Sequence, residues 1–286
     1  MPPRARRRAG APRLVTLSSD VGAAYAAQMK AVLLGELPAA AVVDLAHDLR
    51  PHDIAEAAFV VRAMAERFPA GTVHLVVVDP GVGGRRQPVV IRCRDGSVLV
   101  GPDNGVLVPL AEALGGGWAY RIEAARLRLP PRVGTTFDGR DLFAPVAARL
   151  AQGLDPRRVG PRTGLRTAPG TIPRRTPRGA VGTVAHIDRF GNLITDLPSA
   201  WIPSGTATID LRIGRCRRRV PVATSYEQRG SGRLVALGSS FGTAELAVGH
   251  GRACDELGAA VGTPVRFDWA GKGSRRARRK RKYRTP

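Results

Sequence analysis

From Leu14 to about residue 152, short runs of β-branched residues alternate with stretches whose apolar positions recur at helical spacing. Leu14-Val15-Thr16-Leu17 reads as a strand, followed by an Ala-rich helix around Tyr25 to Leu37. Ala41-Val42-Val43-Asp44-Leu45 reads as a second strand. Asp53 then caps a helix whose Ile54, Ala57, Ala58 and Val61 share one face. Thr72 to Val78 is continuously apolar, as expected of a strand buried on both faces. Val89 to Arg94 and Ser97 to Val100, joined at Asp95-Gly96, predict a hairpin, and Phe143 to Leu150 a short helix. This alternation predicts an α/β layered domain over residues 14–152 with a largely parallel sheet.

Residues 153–178, which contain Pro156, Pro161, Pro169, Pro173 and Pro177, predict a Pro/Arg-rich linker. The pattern then changes. Val181 to Ile187, Ala207 to Ile213, Arg218 to Val222 and Leu234 to Leu237 are strand-like and separated by Gly turns. One helix is expected around Thr243 to Val248. Residues 179–268 therefore predict a smaller all-β, barrel-like domain.

Charge changes this picture less than its size suggests. The 286 residues carry a net charge of +22. Five arginines lie in 1–13, six in 158–178, and nine Lys/Arg in 271–286, and none of these stretches contains an acidic residue. Together they leave about +2 on everything else. The tails 1–13 and 269–286 read as disordered and solubilising, since like charges at that density resist packing. Nucleic-acid contact through them is the less favoured reading. Three widely spaced cysteines, Cys93, Cys216 and Cys254, argue against a disulfide framework or a zinc site and fit the cytoplasm. No apolar run is long enough to span a bilayer, and Leu14 to Leu17 is too short for a signal peptide.

The chemistry concentrates where strands end. Asp20 follows the first strand, Asp79 opens Asp79-Pro80-Gly81-Val82-Gly83, and Asp103 sits in Gly101-Pro102-Asp103-Asn104-Gly105. In α/β sheets ligands bind at the carboxyl ends of strands. A carboxylate there can accept two hydrogen bonds from a sugar diol or orient a water, while an Asp beside Gly is equally a turn former. Gly81-Val82-Gly83-Gly84 fits neither a dinucleotide fingerprint nor a P-loop. The five histidines, His47, His52, His74, His186 and His250, show no metal spacing, so no metal is expected.

Taken together, these blocks resemble the S-adenosyl-L-methionine (SAM) hydroxide adenosyltransferases, siblings of the fluorinase and chlorinase. The resemblance rests on Thr16-Leu17-Ser18-Ser19-Asp20-Val21-Gly22, Val43-Asp44-Leu45-Ala46-His47 and Phe68-Pro69-Ala70-Gly71-Thr72-Val73-His74. It continues through Val78-Asp79-Pro80-Gly81-Val82-Gly83, Thr136-Phe137-Asp138-Gly139-Arg140-Asp141, Asp188-Arg189-Phe190-Gly191-Asn192 and Ser239-Ser240-Phe241-Gly242 with Glu245. It implies hydrolysis of SAM to adenosine and L-methionine without a cofactor, in a homotrimer whose sites lie between neighbouring subunits. A non-catalytic adenosine or SAM binder is the alternative.

Carried over residue by residue, the resemblance implies that Asp20 binds the ribose hydroxyls. Phe190 packs on adenine and Asn192 hydrogen-bonds it, while Asp188 and Ser240 hold the methionine ends. Glu245 and the backbone near Val248 line the adenine side. Asp79, Arg86 and Asp138 form the water-activating triad. This chain departs from the family at two places. Asp138 stands where the family has His, and the stretch after Asp20 is two residues short and lacks a second Asp. An ordinary imidazole titrates near pH 6.5, whereas an ordinary aspartate, at about 3.9, is a weak base at neutral pH.

Overall fold

The structure is a computed structural model that describes residues 14–38, 40–167, 170, 172–229 and 232–269. The expected basic tails lie outside the described residues, apart from Trp269. The chain divides after Gly170 into two compact units.

The first unit is built on seven strands: β1 (Val15–Ser19), β2 (Val42–Ala46), β3 (Val73–Val77), β4 (Pro88–Cys93), β5 (Val98–Pro102), β6 (Gly117–Arg121) and β7 (Arg162–Thr163). Their order is β2-β1-β3-β5-β4-β6-β7. The pairings from β2 to β5 are parallel and those from β5 to β7 antiparallel. The sheet is therefore mixed rather than largely parallel. The Asp95-Gly96 hairpin is the reason, because a tight turn joins only antiparallel neighbours. It places β5 inside β4, and the sheet grows outward from β4 through β6 and β7.

Every residue of β3 is buried, including His74, whose Nδ1 lies 2.7 Å from Thr16 Oγ1. Ala26, Met29 and Leu33 of α1 (Gly22–Glu36) form one core with Val15, Leu17, Val73 and Leu75 and with the buried residues of α5 (Ala144–Ala151). α2 (Ile54–Ala65) packs with α3 (Val108–Ala113). The Asp53 carboxylate accepts from the Glu56 N–H at 3.0 Å, the cap expected for α2. A one-turn helix, α4 (Ala124–Leu127), follows β6.

The segment expected as a linker has structure of its own. Pro156 and Val159 are buried, and the N–H groups of Glu123 and Arg121 donate to the carbonyls of Val159 and Pro161. These bonds seat β7 on the sheet edge, where prolines are tolerated because no ladder donor is needed from them.

The second unit is antiparallel. Its strands are β8 (Arg174–Thr176), β9 (Gly179–Ile187), β10 (Leu193–Pro198), β11 (Thr208–Ile213), β12 (Cys216–Pro221), β13 (Leu234–Gly238), β14 (Thr243–Val248) and β15 (Pro264–Trp269). The path is β12-β11-β15-β9-β10-β14-β13, with β8 also paired to β9. Its two ends meet where the Ala223 N–H donates to the Ala236 carbonyl at 2.9 Å, beside a bridge between Val222 and Ala236. The sheet is thus nearly closed, and Val184, Leu193, Leu211, Leu246 and Phe267 fill its interior.

Thr243 to Val248 is not a helix. It is strand β14, buried at every position between β10 and β13. A strand covered on both faces shows no alternation, so Ala, Glu and Leu there mimic a helix and strand pairing overrides local propensity. The helix of this region is α6 (Ala253–Leu257). Among the described residues, no helix is long and apolar enough to cross a membrane.

Candidate functional site

The strand order β2-β1-β3 creates a switch point. The chain leaves β1 for β2 on one side and returns through α2 to β3 on the other, opening a crevice at the carboxyl ends of β1 and β3. Asp20 directly follows β1 and Asp79 stands two residues past β3. A cavity of about 210 Å³ lies there, lined by Asp20, Pro51, His52, Asp79, Phe137 and Asp138 among others.

The three residues of the expected triad meet here, Asp79 and Asp138 in the cavity wall and Arg86 bridging them. The turn after β3 closes through Val82 N–H to the Asp79 carbonyl and Gly84 N–H to the Gly81 carbonyl, bringing Arg86 back against Asp79. A side chain at Gly81 would crowd this return, since its Cβ would sit 3.1 Å from Arg86 Cγ. Arg86 Nε donates to both Asp79 oxygens at 2.9 Å, and its Nη2 donates to Asp79 Oδ2 at 2.5 Å and also to Asp138 Oδ2. The guanidinium lies 5.3 Å from the Phe143 ring centroid, a cation–π contact. Burial works against the Arg86 charge, but the hydrogen bonds and charges of Asp79 and Asp138 outweigh it and raise its pKa.

A fourth member completes the network. Arg132 Nη1 stands 2.8 Å from Asp138 Oδ1, so each oxygen of Asp138 faces an arginine. The rest of the Thr-Phe-Asp-Gly-Arg-Asp block holds this arrangement in place. Asp141 Oδ2 accepts from the N–H groups of Val133 and Gly134 at 3.1 and 3.3 Å, anchoring the loop that bears Arg132. The hydrogen bond from Arg140 holds the Asp141 carboxyl below its ordinary pKa. Gly139 opens a π-helical turn, Gly139–Phe143, in which the Ala144 N–H reaches the Gly139 carbonyl. A Cβ at Gly139 would lie 2.7 Å from Met29 Sδ and 3.2 Å from Val77 Cγ1. Gly139→Ala is therefore expected to cost about 1–3 kcal/mol by overpacking, measurable as a lower thermal midpoint.

Asp20 Oδ2 accepts from the His52 N–H at 2.9 Å, which ties the end of β1 to the loop before α2. Asp103 lies elsewhere. It accepts from the Arg166 N–H at 2.8 Å, and Asn104 Nδ2 donates to the Val78 carbonyl. That block props the end of β3 and does not line the cavity.

The second unit gathers the other expected residues. Asp188 Oδ1 accepts from the N–H groups of Phe190 and Asn192, and its Oδ2 accepts from Asn192 Nδ2, all at 2.9 Å. This shapes the β9–β10 turn and leaves Phe190 74% exposed. Glu245, on β14, is buried and accepts from the Tyr226 hydroxyl at 2.8 Å. Burial pushes the Glu245 carboxyl up; Tyr226 opposes this and the Asp188 charge adds to it. Ser240 lies in the turn between β13 and β14, and Val248 ends β14.

A raised carboxyl pKa means the folded state holds the Glu245 proton longer than the unfolded chain. Stability is then present below the ordinary carboxylate range and falls as pH rises through the raised value. Glu245→Gln is expected to raise the thermal midpoint at pH 8 more than at pH 4, which denaturation scans at both pH values would show.

Comparison with known proteins decides the family. Residues 15–160 match the SAM hydroxide adenosyltransferase N-terminal domain, and residues 182–266 the C-terminal domain. The chain belongs to the SAM hydroxide adenosyltransferase family. An (R)-S-adenosyl-L-methionine hydrolase from Thermus thermophilus is 41% identical over 266 residues, covering 89% of this chain and 99% of the relative. A protein of the same description from Salinispora tropica is 36% identical, covering 88% and 96%. The crystal structure of an uncharacterized conserved protein from Thermotoga maritima superposes with a TM-score of 0.83 at 32% identity, covering 89% and 99%.

Within this family the chain's own features stand out. The family motif points to Asp79, Arg86 and position 138, but nothing local marked Arg132, which lies on a Pro/Arg/Gly loop. Tyr226 likewise carried no signal, since its partner Glu245 is 19 residues away. The spacing of His52 in the sequence gives it no role, yet it lines the cavity. No group of three or more His, Cys, Asp or Glu among the described residues could hold a metal.

Proposed function

We propose that this chain hydrolyses SAM by attack of water on the ribose 5′ carbon, giving adenosine and L-methionine. The water oxygen bonds to C5′ as the C5′–S bond breaks. Sulfur keeps the electron pair and leaves as the neutral thioether of methionine, and the water gives up one proton. The sulfonium is already an activated leaving group, so the reaction needs no cofactor. The protein has to hold the nucleophile in line and exclude bulk water.

The observation that carries this reading is the Asp79–Arg86–Asp138 network on the cavity at the switch point, in a chain of this family. In this reading the network orients the attacking water. Asp20 accepts hydrogen bonds from the ribose hydroxyls. Phe190 stacks on adenine and Asn192 hydrogen-bonds it, Asp188 and Ser240 take the methionine ends, and Glu245 and Val248 line the adenine side.

A cavity of about 210 Å³ is small beside the roughly 300–1,000 Å³ of typical ligand pockets. It suits the reacting end of SAM better than the whole molecule. The remaining residues lie on the second unit, and the resemblance implies a homotrimer with sites between neighbouring subunits. Analytical ultracentrifugation checks that assembly. The three widely spaced cysteines fit a cytoplasmic enzyme.

Incubation with SAM followed by mass analysis of the products tests the reading. Adenosine and methionine are expected to form faster than in buffer alone. Binding of SAM without turnover would overturn it in favour of a non-catalytic binder.

A further inference from the structure

Hydrolysis releases a proton from the attacking water, and the orienting network has no suitable group to accept it. Asp138 stands where the family has an imidazole, and both its oxygens face arginines, Arg86 and Arg132. Asp79 is itself engaged through both oxygens by Arg86. An ordinary carboxylate is in any case a weak base at neutral pH.

One lining residue of the cavity carries an imidazole: His52. Imidazole is the side chain whose ordinary titration falls between pH 5 and 8. The backbone of His52 is held in an unusual state, with φ at +66°, in the left-handed region that a non-glycine residue seldom enters. Its N–H donates to Oδ2 of Asp20, the residue assigned to the ribose. Strain of this kind gathers at functional sites. Here it places His52, an exposed residue, in the lining of the cavity beside Asp20, the residue assigned to the sugar bearing C5′.

We propose that His52 is the general base of this enzyme. A ring nitrogen takes the proton of the water as its oxygen bonds to C5′ and the C5′–S pair leaves with methionine. The imidazolium then passes that proton to solvent from its exposed side. Three carboxylates line the same cavity, Asp20 after β1, Asp79 after β3 and Asp138 before the π-helical turn. Arg86 and Arg132 stand behind Asp138. On the loop of His52 itself, Arg50 lies 3.6 Å from Asp53 and 3.5 Å from Glu56. The base is thus supplied by a different loop from the one that carries the family histidine. This assignment rests on the hydrolase reading above.

The test is the pH–rate profile of the full chain and of His52→Gln, Asp138→His and the double variant. The wild-type kcat is expected to climb between pH 5 and 8. His52→Gln is expected to lower kcat about 10²-fold with KM changed by less than about 3-fold, to flatten that climb, and to regain rate with added imidazole. With Asp138→His restoring a second imidazole, His52→Gln is expected to cost less than about 3-fold. An unchanged kcat, a rise in KM alone, or a retained pH climb in His52→Gln would overturn the proposal. A wild type that hydrolyses SAM alongside an unaffected His52→Gln overturns this inference alone. A wild type without turnover overturns the hydrolase reading and this assignment together.

Discussion

Asp79→Asn is expected to lower kcat for SAM hydrolysis by about 10²–10³-fold while KM moves little. Removing one preorganised group that acts on the transition state typically costs about 3–4 kcal/mol of the barrier, which corresponds to that range. The substitution keeps the shape of Asp79 but removes the charge that Arg86 answers through Nε and Nη2. Arg86 keeps Asp138, so the fold should survive. Arg86→Ala is more severe. It leaves two nearly buried carboxylates, Asp79 and Asp138, facing one another without their shared cation. Breaking a buried ion pair in this way costs about 3–5 kcal/mol of stability, so this variant should lose both activity and thermal midpoint. Steady-state kinetics with a denaturation scan separate the two effects. An Asp79→Asn enzyme within about 3-fold of wild type would remove the network from the chemistry.

Asp20→Ala is expected to raise KM for SAM by at least about 100-fold. A hydrogen bond to a charged group contributes about 1.5–3 kcal/mol, and a carboxylate that accepts two ribose hydroxyls loses both. The wild type should also discriminate against a 2′-deoxyribose analogue of SAM, and Asp20→Ala should not. The same change removes the acceptor of the His52 N–H, so kcat is expected to fall as well. Asp20→Asn retains an acceptor for His52 and weakens the diol contact. It therefore separates the two consequences: KM rises in both variants, and kcat falls chiefly in Asp20→Ala. Equal KM values for wild type and Asp20→Ala would remove Asp20 from the ribose.

Much of the first unit was legible because its signals are local. The Asp53 cap, the Asp95-Gly96 hairpin and the mostly apolar run of β3 each depend on residues within a few positions of one another. The motif also marked the pairing of Asp79 with Arg86, since a tight turn spans their separation of seven positions. β14 misled for the opposite reason. Its buried Ala, Glu and Leu are set by neighbours on β10 and β13, and burial on both faces erases the alternation that would reveal a strand. The proline-rich stretch after residue 153 misled similarly, because its carbonyls accept from Arg121 and Glu123, partners set by the sheet edge.

The sequence by itself determined the family, the two-part division into α/β and β-rich patterns, and the residues bearing carboxylates and guanidinium groups at strand ends. Only the tertiary structure decided that Arg132 faces Asp138, that His52 shares a cavity with Asp20 and Asp79, and that the first sheet is mixed. The physical reason is range. Caps, turns and periodicity follow from backbone geometry over a few residues. The contact of Arg86 with Asp138 spans 52 residues, and that of His52 with Asp20 spans 32. Such contacts exist because the order β2-β1-β3 brings strand ends together, and that order is selected by burial of the whole core.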